Sequence, residues 1–225
     1  MFSLEQRGTC VTLRGPEGLY SVYDPACVFT GMGWDAESAS ALLLGAAPRS
    51  ALLLGYGGGT VARQLRLMFP RMRLTGVEID AQIAGLAISR FGAEAIGATI
   101  VIGNGARFIR RSKRRYDFVL DDMWDHEQRR RRAILSDLRW LPTVTRRLTP
   151  RGLYAVNVFV DDCAAALRRM RRHFAEVTRV ALPWERVCVL AGSRESVRPE
   201  RIGRLLARLP AAIVQALGEV EFTSC

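Results

Sequence analysis

The chain has 225 residues, 49% of them hydrophobic, with a formal net charge of +11. That composition excludes a disordered chain and fits one α/β domain with a full core plus a small appendage. No apolar run reaches the ~18–20 residues that a membrane-spanning helix needs. The opening MFSLEQRGTC lacks the basic-then-apolar pattern of a secretory signal, so a cytoplasmic location without membrane contact is expected.

The positive charge has two readings. Lys113 is the only lysine, and the remaining basic residues are arginines, the skew that GC-rich codon usage produces. Arginine clusters at 110–115, 129–132 and 168–172 read as solvated helix faces or loops, with an anionic partner as the other reading. Five scattered cysteines (Cys10, Cys27, Cys163, Cys188, Cys225) form no CxxC pair, and the two histidines (His126, His173) have no ligand spacing, so no metal site is expected.

In chain order, TCVTLR (9–14) and LYSVY (19–23) flank Gly15-Pro16-Glu17-Gly18, which predicts a β-hairpin. An irregular stretch over 25–35 and an Ala/Leu-rich helix over 36–46 follow. This divides the chain into an N-terminal appendage, 1–35, and a main domain, 36–225. Strand-like runs recur at 51–55, 73–78, 98–102, 116–121, 153–158, 176–181 and 186–191. Helical patterns separate most of them, at 59–69, 81–91, 105–112, 129–147 (broken near Pro142) and 162–173, with terminal helix over 197–217. Such alternation predicts a mostly parallel sheet with helices on both faces. Between EVTRVAL and ERVCVLAG there is no room for a helical crossover, so the last two strands must pair antiparallel. A seven-stranded sheet closed in this way is the Rossmann-like class I methyltransferase fold rather than a nicotinamide-binding domain.

The stretch ALLLGYGGGTVARQLRLMFPRMRLTGVEID (51–80) carries the chemistry of a nucleoside site. An apolar strand meets Gly55-Tyr56-Gly57-Gly58-Gly59, whose glycines admit positive φ and close approach of backbone to a ligand. The second strand ends in Glu78, Ile79 and Asp80, where an acid can accept hydrogen bonds from a ribose diol. The third strand ends in Asn104-Gly105; the amide can bond an adenine amine, with Ile79 and Ile102 sandwiching the ring, and Asn104 also suits a helix N-cap. After the fourth strand, YDFVLDD, come Asp121, Asp122, Met123, Trp124, Asp125, His126 and Glu127. At the carboxyl end of a parallel strand such acids face the ligand, and can hold a cationic amine or take its proton.

These motifs in order, GYGGG, GVEID, GNG with ARF, and YDFVLDDMWD, resemble the spermidine synthase family of S-adenosylmethionine (AdoMet)-dependent transferases over about residues 10–195. The resemblance implies ribose binding by Glu78, adenine contact by Asn104, and proton acceptance by Asp122 or Asp125. It also implies paired subunits. Cofactor contacts are thus expected at Gly55, Tyr56, Gly57, Gly58, Gly59, Glu78, Ile79, Asp80, Asn104, Gly105 and Asp121. Trp34, Asp35, Trp124, His126 and Asn157 are candidates for the acceptor pocket.

Two departures from the family pattern stand out. Its GGGDGG motif carries an acid for the amine end of decarboxylated AdoMet; Gly58 stands there. Free backbone N–H groups at that turn are expected to take the carboxylate of intact AdoMet. Met123 and Trp124 replace the small hydroxyl residues between the paired acids. The sequence-based expectation is therefore methyl transfer from AdoMet to a small acceptor. The alternatives are aminopropyl transfer from decarboxylated AdoMet, aminocarboxypropyl transfer or cyclisation, and a non-catalytic module binding nucleic acid, the least favoured.

Overall fold

The computed structural model describes residues 2–16, 18–124 and 133–225. The N-terminal segment forms three antiparallel strands, β1 (Ser3–Arg7), β2 (Cys10–Gly15) and β3 (Gly18–Tyr23). The predicted hairpin is the β2–β3 pair, and β1 is an addition to it. SLEQR alternates poorly and has mostly exposed side chains, so it offered no period-two signal. Val11 and Leu13 from this sheet pack on Ile83 and Phe91 of the main domain, which covers one face of a sheet too small to stand alone.

The main sheet has eight strands in the order β11-β9-β10-β8-β7-β4-β5-β6. These are β4 (Ser50–Leu54), β5 (Arg73–Glu78), β6 (Ala98–Ile102), β7 (Tyr116–Asp121), β8 (Leu148–Phe159), β9 (Glu176–Ala181), β10 (Val187–Ser193) and β11 (Glu221–Ser224). Strands β4 to β8 run parallel, and β10 is antiparallel to both β8 and β9, as the short Pro183-Trp184 connection requires. The seven expected strands are joined by β11, a four-residue strand on the edge beside β9.

Side chains alternate across the sheet. Leu53, Phe118 and Leu120 face one apolar core, and Leu52, Leu54 and Val119 face the other. The first core is covered by α1 (Gly33–Ala39), a 3-10 turn (Ser40–Leu44), α2 (Thr60–Met68), α3 (Ala81–Ser89), α8 (Pro199–Leu206) and α9 (Ala211–Ala216). The second lies beneath α4 (Gly105–Arg111), α5 (Ala133–Ser136), α6 (Trp140–Thr145) and α7 (Val160–Met170). Among the described residues, no helix is long and apolar enough to cross a membrane.

Two helix boundaries differ from expectation. Pro142 does not break its helix but sits in the first turn of α6, where a missing N–H costs nothing. The terminal helical stretch is split at Pro210 into α8 and α9. Residues 125–132, which include Asp125 and His126, lie outside the described residues.

Candidate nucleoside and acceptor site

The carboxyl ends of β4 to β8 gather most of the predicted side chains. The glycine turn after β4 holds its shape through positive φ at Gly55, Gly57 and Gly59. At Gly55 a Cβ would run into the carbonyl of Asp122, so the turn and the loop after β7 touch backbone to backbone. At Gly105 a Cβ would lie 2.6 Å from the Met123 sulfur, a flexible side-chain end, so the loop after β7 also packs on the start of α4.

The turn's glycine N–H groups are already bonded, contrary to the expectation that they are free. Gly55 donates to the Val77 carbonyl (3.0 Å) and Gly59 to that of Tyr56 (3.0 Å). Gly57 donates to Glu78 Oε2 (2.8 Å), and Gly58 to Ser21 Oγ (2.6 Å). Strand β3 supplies the last of these acceptors, because it lies directly over the turn. A Cβ at Gly58 would be 2.7 Å from that of Ser21, and the Val22 amide and carbonyl both bond Thr60 Oγ1. Ser21 and the Phe91 ring, whose Cδ1 would lie 2.9 Å from that Cβ, thus occupy the space that an acid at position 58 would need.

Arg63 locks the same corner. Its buried guanidinium donates to the carbonyls of Gly58 (2.9 Å), Phe91 (2.8 Å) and Val22 (3.1 Å), and lies 4.6 Å from the Tyr23 ring centroid. Burial lowers its pKa to about 10. Tyr56 has its ring against Gly76 and Gly59, in the core below the turn rather than in the site, and burial pushes its phenol up to about 12.

Glu78 is buried at the tip of β5, with Oε2 on Gly57 N–H and Oε1 on Asp80 N–H (3.0 Å). Each oxygen keeps a lone pair for a diol, and the two bonds fix the carboxylate's direction. Ile79 and Ile102 are 61% and 59% exposed, and Ile102 pairs with Glu78 across β5 and β6, so the two isoleucines form an open apolar ledge beside the acid. Asp80 and Asn104 are helix caps: Asp80 accepts from Gln82 and Ile83, and Asn104 from Arg107. Position and chemistry at this corner fit an adenosine group, with the acid for ribose and the ledge for the ring.

The two acids ending β7 point to opposite sides of the sheet. Asp121 is buried, accepting from the Trp140 indole (3.0 Å) and the Tyr154 hydroxyl (2.8 Å), so its carboxylate anchors α6 instead of facing the nucleoside. Asp122 turns into the site. Its Oδ1 accepts from the Trp124 indole (2.7 Å) and the Asn157 amide (3.0 Å), and the Trp124 ring meets Phe159 edge-on, 4.8 Å between centroids.

The same Asn157 nitrogen donates to Glu37 Oε1 (2.7 Å), a buried acid on α1 that sequence reasoning missed. The available signal was a charged residue inside the apolar run WDAESASALLL, where a solvated helix face would not be. Ser21 was also missed, although the alternation of LYSVY turns it inward. Trp34 and Asp35 do not join this group. Asp35 is consumed by the Thr30 and Gly31 amides and by Gln64 Nε2 (2.6 Å), and Trp34 packs on the first core.

No family model matches the chain. It is 34% identical to a probable polyamine aminopropyl transferase of Bifidobacterium longum over 129 residues, 57% of this chain and 28% of that protein. The chain therefore spans under a third of that curated relative's length. A crystal structure of a probable spermidine synthase from Corynebacterium glutamicum superposes with a TM-score of 0.74 at 20% identity, covering 99% of this chain and 87% of that one. Human methyltransferase-like protein 13, solved with SAH, follows at 0.62 and 20% identity, covering 83% and 89%. The fold is that of the class I methyltransferases. The chain is thus similar in sequence to that aminopropyl transferase over 129 residues, and similar in fold to that spermidine synthase along almost its whole length.

Proposed function

We propose that the protein is a transferase that takes a nucleoside of the AdoMet type, with aminopropyl transfer to an amine acceptor as the leading reading. The observation that carries it is Asp122, held in one direction by Trp124 and Asn157 across the loop contact from the glycine turn. A carboxylate fixed there can orient an acceptor ammonium and take its proton. The amine lone pair then attacks the carbon bonded to the sulfonium; the C–N bond forms, the C–S bond breaks, and its electron pair returns to sulfur. Catalysis comes chiefly from alignment of nitrogen, carbon and sulfur. Glu78 with the Ile79–Ile102 ledge binds the adenosine, and Asp125 and His126 remain candidates for the acceptor side. The likeness to a protein named as a polyamine aminopropyl transferase supports this reading over methyl transfer.

One observation favours methyl transfer from intact AdoMet as a second reading. Ser21 fills the space at Gly58, so that position presents no acid to the amine end of a decarboxylated cofactor. The two readings leave different products. Incubation with decarboxylated AdoMet and a diamine yields methylthioadenosine under the first, whereas AdoMet with acceptor yields S-adenosylhomocysteine under the second. Absence of calorimetric binding to either nucleoside would overturn both.

A further inference from the structure

The two helix layers differ sharply in charge. With the turns that follow them, the helices α4 to α7 (residues 105–115, 133–147 and 160–173) carry thirteen arginines and lysines against three acids. The opposite layer (33–49, 60–72, 81–97 and 199–220) carries eight against five. Codon usage explains why these residues are arginine rather than lysine. It does not explain why the excess gathers on one side of the sheet.

The geometry makes this excess a single face. Each of α4, α6 and α7 runs back from the site end of the sheet, so their arginine-rich carboxyl ends meet at the other end. Asp137 marks the junction: its carboxylate pairs with Arg110 (2.6 Å) and its carbonyl accepts from Arg169 (2.8 Å), which joins the ends of α4 and α7. Arg147, after α6, donates to the carbonyls of Ile109 and Arg110 and closes the seam from below. Among the described residues, Arg110–Asp137 is the one ion pair on this face, so Arg111, Arg114, Arg168, Arg171 and Arg172 project exposed charge that no carboxylate offsets.

We propose that this face binds the phosphodiester backbone of a nucleic acid. Guanidinium forks suit phosphate oxygens, and a spread of arginines over several elements suits a polymer better than a single phosphate group. An anionic membrane fits less well, because Leu138 and Val160 are the only large apolar side chains exposed on these elements among the described residues, too few for an inserting face. The face lies away from the candidate catalytic end, so the proposal stands whether or not the transferase reading holds.

The test is fluorescence anisotropy of the full chain with labelled single-stranded RNA, duplex RNA and duplex DNA. About five phosphate contacts predict a loss of roughly 10²–10³-fold in affinity between 50 and 200 mM salt. Arg111→Glu with Arg114→Glu, Arg168→Glu and Arg172→Glu should weaken binding at least tenfold at 50 mM salt, with the circular dichroism and thermal midpoint of the wild type. The control variant, Arg66→Glu with Arg204→Glu and Arg208→Glu on the other layer, should bind within about threefold of wild type. The proposal is overturned by micromolar or tighter binding to vesicles with anionic lipid but none to nucleic acid, by equal weakening in the control, or by no nucleic-acid binding at 50 mM salt.

Discussion

The site has two halves built on different plans. The nucleoside half, made of the glycine turn and the tip of β5, is closed on itself: Gly57 bonds Glu78, Gly58 bonds Ser21, and Arg63 holds three carbonyls around them. Most of its parts lie within one β-α-β unit, with β3 pressed onto it. The acceptor half is assembled from α1, β7 and β8, joined through Asn157, whose amide donates to both Glu37 and Asp122. The first half is a preformed cradle whose glycine N–H donors are spent. In the second, carboxylates are positioned by neutral amide and indole donors, an arrangement that suits proton handling.

The widest separation between the halves should come from the adjacent acids of β7. Asp122→Asn is expected to lower turnover ~10²–10⁴-fold, the range for loss of a general base, while nucleoside affinity by calorimetry stays within about threefold. An affinity that falls as far as turnover would place Asp122 in the nucleoside half instead. Asp121→Ala should act on stability, because it removes the acceptor that the buried Trp140 indole and Tyr154 hydroxyl share; the expected loss in denaturant unfolding is about 1–3 kcal/mol.

Gly58→Asp probes the cradle. Overlap with Ser21 and the Phe91 ring should cost ~1–3 kcal/mol, and the companion change Ser21→Gly should recover part of it by making room on the β3 side. Wild-type stability for Gly58→Asp alone would mean that β3 does not press on the turn. If the double variant also gains affinity for decarboxylated AdoMet over AdoMet, the filled space at Ser21 is what limits that cofactor.

Glu37→Gln keeps the shape of the Glu37–Asn157 contact but removes the charge that the amide serves. The expected effects are a loss of about 1 kcal/mol in stability and a fall of about fivefold in turnover, the kinetic equivalent of that energy, with nucleoside affinity held. A variant impaired in nucleoside binding alone would break the assignment of α1 to the acceptor half.

The smallest effect concerns α7, beside the acceptor half. The Cys188 thiol donates to Cys163 across 3.3 Å; this bond, with the nearby Arg179 charge, holds the Cys163 thiol at about 7 against the opposing pull of burial, while Cys188 is pushed well above its usual range. Alkylation of Cys163 should therefore accelerate as pH rises through about 7 and level off above it, with Cys188 unreactive over the same window. Mass mapping of labelled peptides reads both sites, and Cys188→Ala should move the Cys163 transition to higher pH.

Much of the nucleoside half was legible in the sequence, because a glycine turn between an apolar strand and an amphipathic helix, followed by an acid two elements later, is a local pattern. The strand positions from β4 to β10 followed from the same periodicity. The acceptor half was legible only in part. Asp122 and Asn157 were placed at strand ends, but Asp121 was assigned to the ligand although strand alternation turns it into the second core against Trp140 and Tyr154. Asp35 and Glu37 sit two residues apart on one short helix, and only the packing of α1 decides that Asp35 closes a loop while Glu37 reaches the site.

The sequence by itself determined the succession of strands and helices from β4 to β10, the antiparallel return of β10 and the glycine turn after β4, since backbone conformation and side-chain alternation act over a few residues. Only the tertiary structure decided which donors and acids were already engaged. Ser21 meets Gly58 across 37 residues and Glu37 meets Asn157 across 120. No local pattern records such meetings, because they arise where separately formed elements are driven together by the burial of their apolar faces.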